Sequence, residues 1–223
     1  MQLCELLGIA RGVTALIGSG GKTTAMYTLA RELQQRGSVV CCTTTRIFPP
    51  EHLPVYEGNC PDELVELLLE HGCVCAGTHA ENGKLGASPI AMETLTGLAD
   101  FVLVEADGSK GLPLKAHLSH EPVIPGAAKN VILLVGASGF GERAEDCVHR
   151  VERFCELAGI SGEDTVTAES VAAVIAKEGF AGKVFVNQVE TEEQWKQAKE
   201  LAELLSVPVY AGALKRGEWQ WLS

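Results

Sequence analysis

The chain lacks a surplus of positive charge. Its 223 residues carry 18 Lys+Arg against 29 Asp+Glu, a formal net charge of −11. With no basic excess to displace counterions, the composition argues against a nucleic-acid partner and against docking on an anionic membrane surface. Long hydrophobic runs are also missing, and no apolar stretch approaches the ~18–20 residues of a membrane span. The opening residues, Met1-Gln2-Leu3-Cys4-Glu5, lack the basic segment of a secretion signal, and Glu5 and Arg11 interrupt the apolar residues around them. None of the eight cysteines forms a C-x-x-C pair, and several lie within apolar, strand-like runs. This predicts reduced thiols in a cytoplasmic protein. No repeat, low-complexity segment or linker divides the chain. What remains is an apolar fraction of 46% and a charged fraction of 21%, which exclude a disordered or fibrous protein. A chain this long buries about 70–75% of its unfolded surface, so it needs neither disulfides nor a structural metal to fold.

Strand-like and helical patterns alternate almost from end to end. Residues 13–17 read as a strand ending at Gly18, followed by a helix from Lys22 to about Gln35 with Met26, Leu29, Ala30 and Leu33 on one face. Gly37 is its expected C-cap. A second strand covers 38–43, and Pro49, Pro50 and Pro54 enforce a loop. Pro61 opens a helix to about Glu70, residues 72–76 form a strand, and Asn82-Gly83 marks a hairpin turn. Ser88-Pro89 is expected to open a helix to Ala99. Residues 101–104 and 131–135 read as buried strands, 144–158 and 168–178 as helices, and 183–187 as a strand. Thr191-x-x-Gln194 is a capping box for a helix to about Leu205, and 207–211 is the last strand. Doubly buried strands alternating with helices predict a doubly wound, mostly parallel α/β sheet with helices on both faces, and the glycine-rich turn Gly18-Ser19-Gly20-Gly21-Lys22-Thr23 after the first strand makes it the P-loop NTPase type. The expectation is a single domain over 1–223 with small insertions near 45–60 and 77–87.

Gly18-Ser19-Gly20-Gly21-Lys22-Thr23-Thr24 lies between the first strand and the first helix, the setting a phosphate loop requires. Its glycines let backbone N–H groups converge on phosphate oxygens at a helix N-terminus. Lys22 would neutralise the terminal phosphates of ATP or GTP, and the Thr23 hydroxyl would ligate Mg²⁺. The commonest spacing would put a glycine at Leu16, so the loop is the shorter G-x-x-G-K-T form found in ligases that activate a carboxylate with ATP. Such a site needs an acid at the end of a buried strand. Phe101-Val102-Leu103-Val104-Glu105-Ala106-Asp107 supplies two, at i and i+2. Glu105 is assigned to the metal or the attacking group and Asp107 to the metal shell, with the two roles interchangeable. Lys110 and Lys115 follow, either as a clamp for a transferring phosphoryl group or as charge partners of the two acids.

These residues together resemble the YqeC-like family of selenium-dependent hydroxylase accessory proteins. The resemblance rests on 17–24, on Thr43-Thr44-Thr45-Arg46-Ile47, on Gly83-Lys84-Leu85-Gly86, and most specifically on residues 104–116. His120-Glu121-Pro122-Val123-Ile124-Pro125 completes it, while His117 stands where the family pattern has proline. It implies a nucleotide-dependent accessory factor in the maturation of selenium-dependent molybdenum hydroxylases, with such a hydroxylase or its maturation factors as partner. Thr44 or Thr45 would then sense the terminal phosphate, unless the run is simply a β-branched strand end.

Asn187-Gln188-Val189-Glu190 is similar to the N-K-x-D base-reading motif of guanine-nucleotide-binding proteins, with Gln for Lys and Glu for Asp. Its other reading is a strand-end Asn capping the turn before Thr191. His71, Cys73, Cys75 and His79 place four metal-ligand side chains in nine residues, without a usual zinc spacing. They are either strand core or a site for a metal or for selenium. The set Trp195, Trp219 and Trp221 includes an interface, or the final residues are a loosely packed tail. The functional alternatives are a nucleotide-hydrolysing accessory factor, a small-molecule kinase or ATP-dependent ligase, and a regulator that binds without turnover.

Overall fold

A computed structural model describes residues 1–223. The chain gathers into two compact units: Met1–Leu16, Thr23–Asp107 and Val123–Asn130 form the first, and Ile17–Lys22, Gly108–Pro122 and Val131–Ser223 form the second.

The first unit holds α1 (Leu3–Leu6), β1 (Gly12–Gly18), α2 (Lys22–Leu33), β2 (Val39–Thr43), β3 (Val55–Tyr56), α3 (Pro61–His71) and β4 (Cys73–Ala76). After these come the hairpin β5 (Thr78–His79) and β6 (Leu85–Gly86), then α4 (Met92–Leu98) and β7 (Phe101–Glu105). β1 ends, and α2 begins, with residues of the second unit. Five strands run parallel in the order β1-β7-β2-β4-β3. Every residue of β1, β2, β4 and β7 is buried, which is why their sequences do not alternate. The period of two still sorts their faces. Val40, Cys42, Val74, Val102 and Val104 pack with Leu64, Leu68 and Leu95 of α3 and α4. Cys41 and Cys75, of the other parity, meet Tyr27 of α2. Helices therefore cover both faces here.

The second unit adds β8 (Leu114–Lys115), β9 (Ala128–Gly136), α5 (Ala144–Cys147), β10 (Val148–His149), α6 (Val151–Ala158) and α7 (Ala168–Glu178). β11 (Lys183–Asn187), α8 (Glu192–Leu204), β12 (Val209–Ala213) and β13 (Glu218–Trp221) complete it. β9, β11 and β12 are parallel neighbours, and β13 pairs antiparallel with the edge of β12. β8 and β10 make a separate two-stranded parallel pair. At α8, Thr191 accepts the Gln194 N–H as its capping box requires, a contribution of about 1 kcal/mol.

Five local expectations are corrected. Gly37 is not a C-cap: α2 stops at Leu33, and a Cβ at Gly37 would strike the Asp100 carboxylate, which accepts the Ser38 N–H. Ser88 accepts the N–H of Ile90 in a turn, so α4 starts only at Met92. The helix expected over 144–158 is broken at 148–150, because His149 pairs with Lys115 and Arg150 turns left-handed (φ 67°). The last parallel strand runs over 209–213 rather than 207–211. Of the two readings of the final residues, the loose tail is the one corrected, because Trp219 and Trp221 lie in a paired edge strand.

Candidate functional site

In the second unit the loop between β1 and α2 is fixed by backbone contacts. The Ser19 N–H donates to the Leu134 carbonyl (2.9 Å), and its hydroxyl donates to the Leu112 carbonyl. Gly20 has φ +82°, and a Cβ there would collide with the backbone of Gly136, so only glycine fits. The Asn187 amide donates from Nδ2 to the Gly20 carbonyl (2.7 Å) and accepts the Leu214 N–H at Oδ1 (3.0 Å). Lys22 is buried, and its ammonium donates to the Gly18 carbonyl (2.7 Å) and the Ser109 hydroxyl (3.3 Å). A buried cation at the start of a twelve-residue helix is an arrangement that suits an anion, by charge and by the helix dipole.

In the first unit the Thr23 hydroxyl donates to Glu105 Oε2 at 2.8 Å. Glu105 ends β7 in register with Leu16 and Thr43. Its carbonyl accepts from the Thr43 hydroxyl (2.8 Å) and the Thr44 N–H (3.1 Å), so the threonine run is wrapped around this strand end. Thr45 donates its N–H to the Thr43 hydroxyl and Thr44 donates its hydroxyl to Val123. Asp107 is fully buried two residues on. Thr23, Glu105 and Asp107 are hard oxygen donors, the kind Mg²⁺ takes in small number, filling its octahedron with phosphate oxygens and water. No group of three or more His, Cys, Asp or Glu side chains is arranged to hold a metal by itself. The donor set thus fits a metal that arrives with a phosphate.

The two lysines after Asp107 separate. Lys110 is exposed in a left-handed turn (φ 51°). Lys115 is buried, donates to the Gly108 carbonyl (2.8 Å) and pairs with Glu121 (3.4 Å), which also takes Arg150 (3.3 Å). Burial pushes the Glu121 carboxyl up, but Lys115 and Arg150 outweigh it and hold it below the usual range. Burial, then the charges of Lys115 and Arg150, hold His149 below the ordinary histidine value. His117 is also buried, and both its N–H (2.6 Å) and Nδ1 (2.7 Å) meet Glu178.

Residues 14–152 match the YqeC protein family. The chain is 34% identical over 176 residues to the uncharacterized protein YqeC of Escherichia coli (strain K12), covering 73% of this chain and 67% of that protein. The chain belongs to the YqeC family. Among solved structures, this family member is similar to chloroplast FtsY from Physcomitrella patens, with a TM-score of 0.50 at 12% identity. That match covers all of this chain and 66% of the FtsY chain. A signal recognition particle 54 kDa protein from Aeropyrum pernix K1, in complex with GDP, matches with a TM-score of 0.42 and 18% identity, over 96% of this chain and 44% of that one. The fold of the family member is the α/β P-loop NTPase type. No helix is long and apolar enough to cross a membrane.

The remaining motifs are placed as follows. Cys73 and Cys75 share one buried face of β4 with Cys41 of β2 beside them. The Cys73 hydrogen bond, then burial, pushes the Cys41 thiol well up, and burial raises Cys42 and Cys75 to about 12. These groups stay protonated and inert at neutral pH. His79 is exposed against Glu57 (3.4 Å), and His71 lies beside Glu70 (3.7 Å). Glu190 pairs with Arg216 at 3.2 Å on the surface. Sequence reasoning missed the contacts of Ser109, His149 and Arg150. Ser109 had a signal, since it lies inside the most specific family stretch. His149 and Arg150 had none, because their roles arise from a strand pairing across 34 residues.

Proposed function

We propose that this protein binds ATP or GTP with Mg²⁺ and hydrolyses it as an accessory factor in maturing selenium-dependent molybdenum hydroxylases, in the cytoplasm. The observation that carries the nucleotide reading is the Thr23–Glu105 contact, directly after a buried Lys22 at a helix start. Lys22 and the N–H groups of Gly20 and Gly21 would bind the phosphates, and Thr23, Glu105 and Asp107 would hold the metal. Bound Mg²⁺ would neutralise charge on the transferring phosphoryl group. Glu105, which accepts the Thr23 hydroxyl at the strand end, would also orient a water for attack. Lys110, on its exposed turn, is proposed to reach the phosphates, while Asn187 braces the loop at Gly20. The reduced state of all eight cysteines is consistent with a cytoplasmic location.

The accessory role rests on family membership. A stand-alone kinase or ligase leans on both lysines after Asp107, and Lys115 is spent on Gly108 and Glu121. Calorimetry with ATP and GTP, with and without Mg²⁺, tests the binding. We expect metal-dependent binding that Lys22→Ala removes; no binding at millimolar nucleotide would sink the proposal. Phosphate release that a maturing hydroxylase accelerates supports the accessory role. Release that only a small metabolite accelerates favours the kinase or ligase.

A further inference from the structure

Thr24, Tyr27, Thr28 and Arg31 follow along α2 at i, i+3, i+4 and i+7, and so share one helix face. That face lines a cleft of about 590 Å³ within the first unit, in the size range of small-molecule sites. The chain carries 29 Asp and Glu, yet no carboxylate lines this cleft, while Arg31 and two histidines do. The nearest acids to those histidines are Glu51 beside His52 (3.9 Å) and Glu70 beside His71 (3.7 Å). Arg31 is exposed, and its guanidinium makes no ion pair.

Beside the polar Thr24, Thr28 and Gln34, one wall of the lining suits a flat apolar body. Pro50, Leu53 and Pro54 come from the proline-rich segment before β3. Tyr27 contributes its ring, and its hydroxyl donates to the Phe48 carbonyl (3.4 Å). Burial, helped by the neighbouring Cys75, Cys41 and Glu105, pushes this phenol well above its ordinary value, so it remains a neutral donor. An apolar, ring-faced wall with one unpaired guanidinium is complementary to an organic acid with a ring body.

We propose that this cleft binds a small ring-bearing carboxylic acid, with Arg31 holding the carboxylate and Tyr27, Leu53 and the prolines packing the ring. The site adjoins the metal-binding threonine in sequence but does not depend on the nucleotide reading. The test titrates the full-length chain, without nucleotide, with 2-naphthoate and with its neutral isostere 2-naphthamide. Affinity is read by calorimetry and location by backbone amide NMR shifts. We expect naphthoate to bind about tenfold tighter than the amide, as a charge-assisted bidentate contact implies. Shifts should centre on Tyr27, Thr28 and Leu53. Arg31→Gln, at an exposed position that leaves the fold intact, should erase the preference while keeping the amide affinity. Equal affinity for acid and amide, no binding at millimolar probe, or shifts centred elsewhere would overturn the proposal. ATP with Mg²⁺ should leave naphthoate bound; displacement would make the cleft part of the nucleotide site and overturn it as well. Loss of nucleotide binding alone would leave it standing.

Discussion

Two strands end in polar residues that the sequence marks for ligand work, and they spend those residues differently. β7 ends at Glu105, whose carboxylate accepts from the Thr23 hydroxyl, while its carbonyl accepts from Thr43 at the start of the threonine run. β11 ends at Asn187, whose amide is used at both ends on backbone, the Gly20 carbonyl and the Leu214 N–H. A carboxylate facing a hydroxyl is a hard-oxygen pair that a metal can enter. An amide tied to two backbone groups is a brace that holds the phosphate loop in shape. The two strand ends thus present a carboxylate to a side-chain hydroxyl in one place and a backbone brace in the other.

The largest effect should come from the β7 end. Glu105→Gln should lower nucleotide hydrolysis by about 10²–10³-fold, as loss of a preorganised charge does, while calorimetry still shows binding. Unchanged turnover would break the comparison. Next is the brace. Asn187→Ala leaves the Gly20 carbonyl and the Leu214 N–H without their partner and should cost about 1–3 kcal/mol in denaturant unfolding, with weaker nucleotide binding as a consequence. Loss of binding at unchanged stability would instead mean that Asn187 touches the ligand.

A third test probes the buried charges around Lys115. The pKa of His149 is depressed in the folded state, so the unfolded chain takes up the proton first as pH falls below the ordinary value of 6.5. Its contribution to stability is therefore present above pH 6.5 and lost as pH falls from there toward the folded value. His149→Gln should flatten that part of the wild-type stability curve, measured by urea unfolding between pH 7.5 and 5.5. The smallest effect belongs to Glu190→Ala. Arg216 already holds this carboxylate at the surface, so the ratio of ATP to GTP affinity should stay within about twofold. A larger change would show that residues 187–190 read the base after all.

Much of this was legible in contiguous sequence. The phosphate loop, the strand running into Glu105 and Asp107, and the Thr191 capping box are local patterns whose neighbours in space are mostly neighbours in the chain. The errors fell where a distant segment overrode a local preference. A helical pattern over 144–158 gave way at His149, because pairing with Lys115 satisfies its backbone in a strand. Gly37 has the right residue type for a C-cap but lies against Asp100, 63 positions away. For Trp219 and Trp221 the loose-tail alternative gives way because the edge of β12 gives them a partner.

The deficit of positive charge, the buried parallel strands and the Lys22-Thr23 pair were determined by the sequence alone, since each follows from composition, period or adjacency. Only the tertiary structure decided that Thr23 meets Glu105, that Asn187 braces Gly20 from 167 residues away, and that Lys115 serves Glu121. The physical reason is that a side chain's role is set by the partner that satisfies it. For these groups the partner is chosen by strand order and register, which no local window contains.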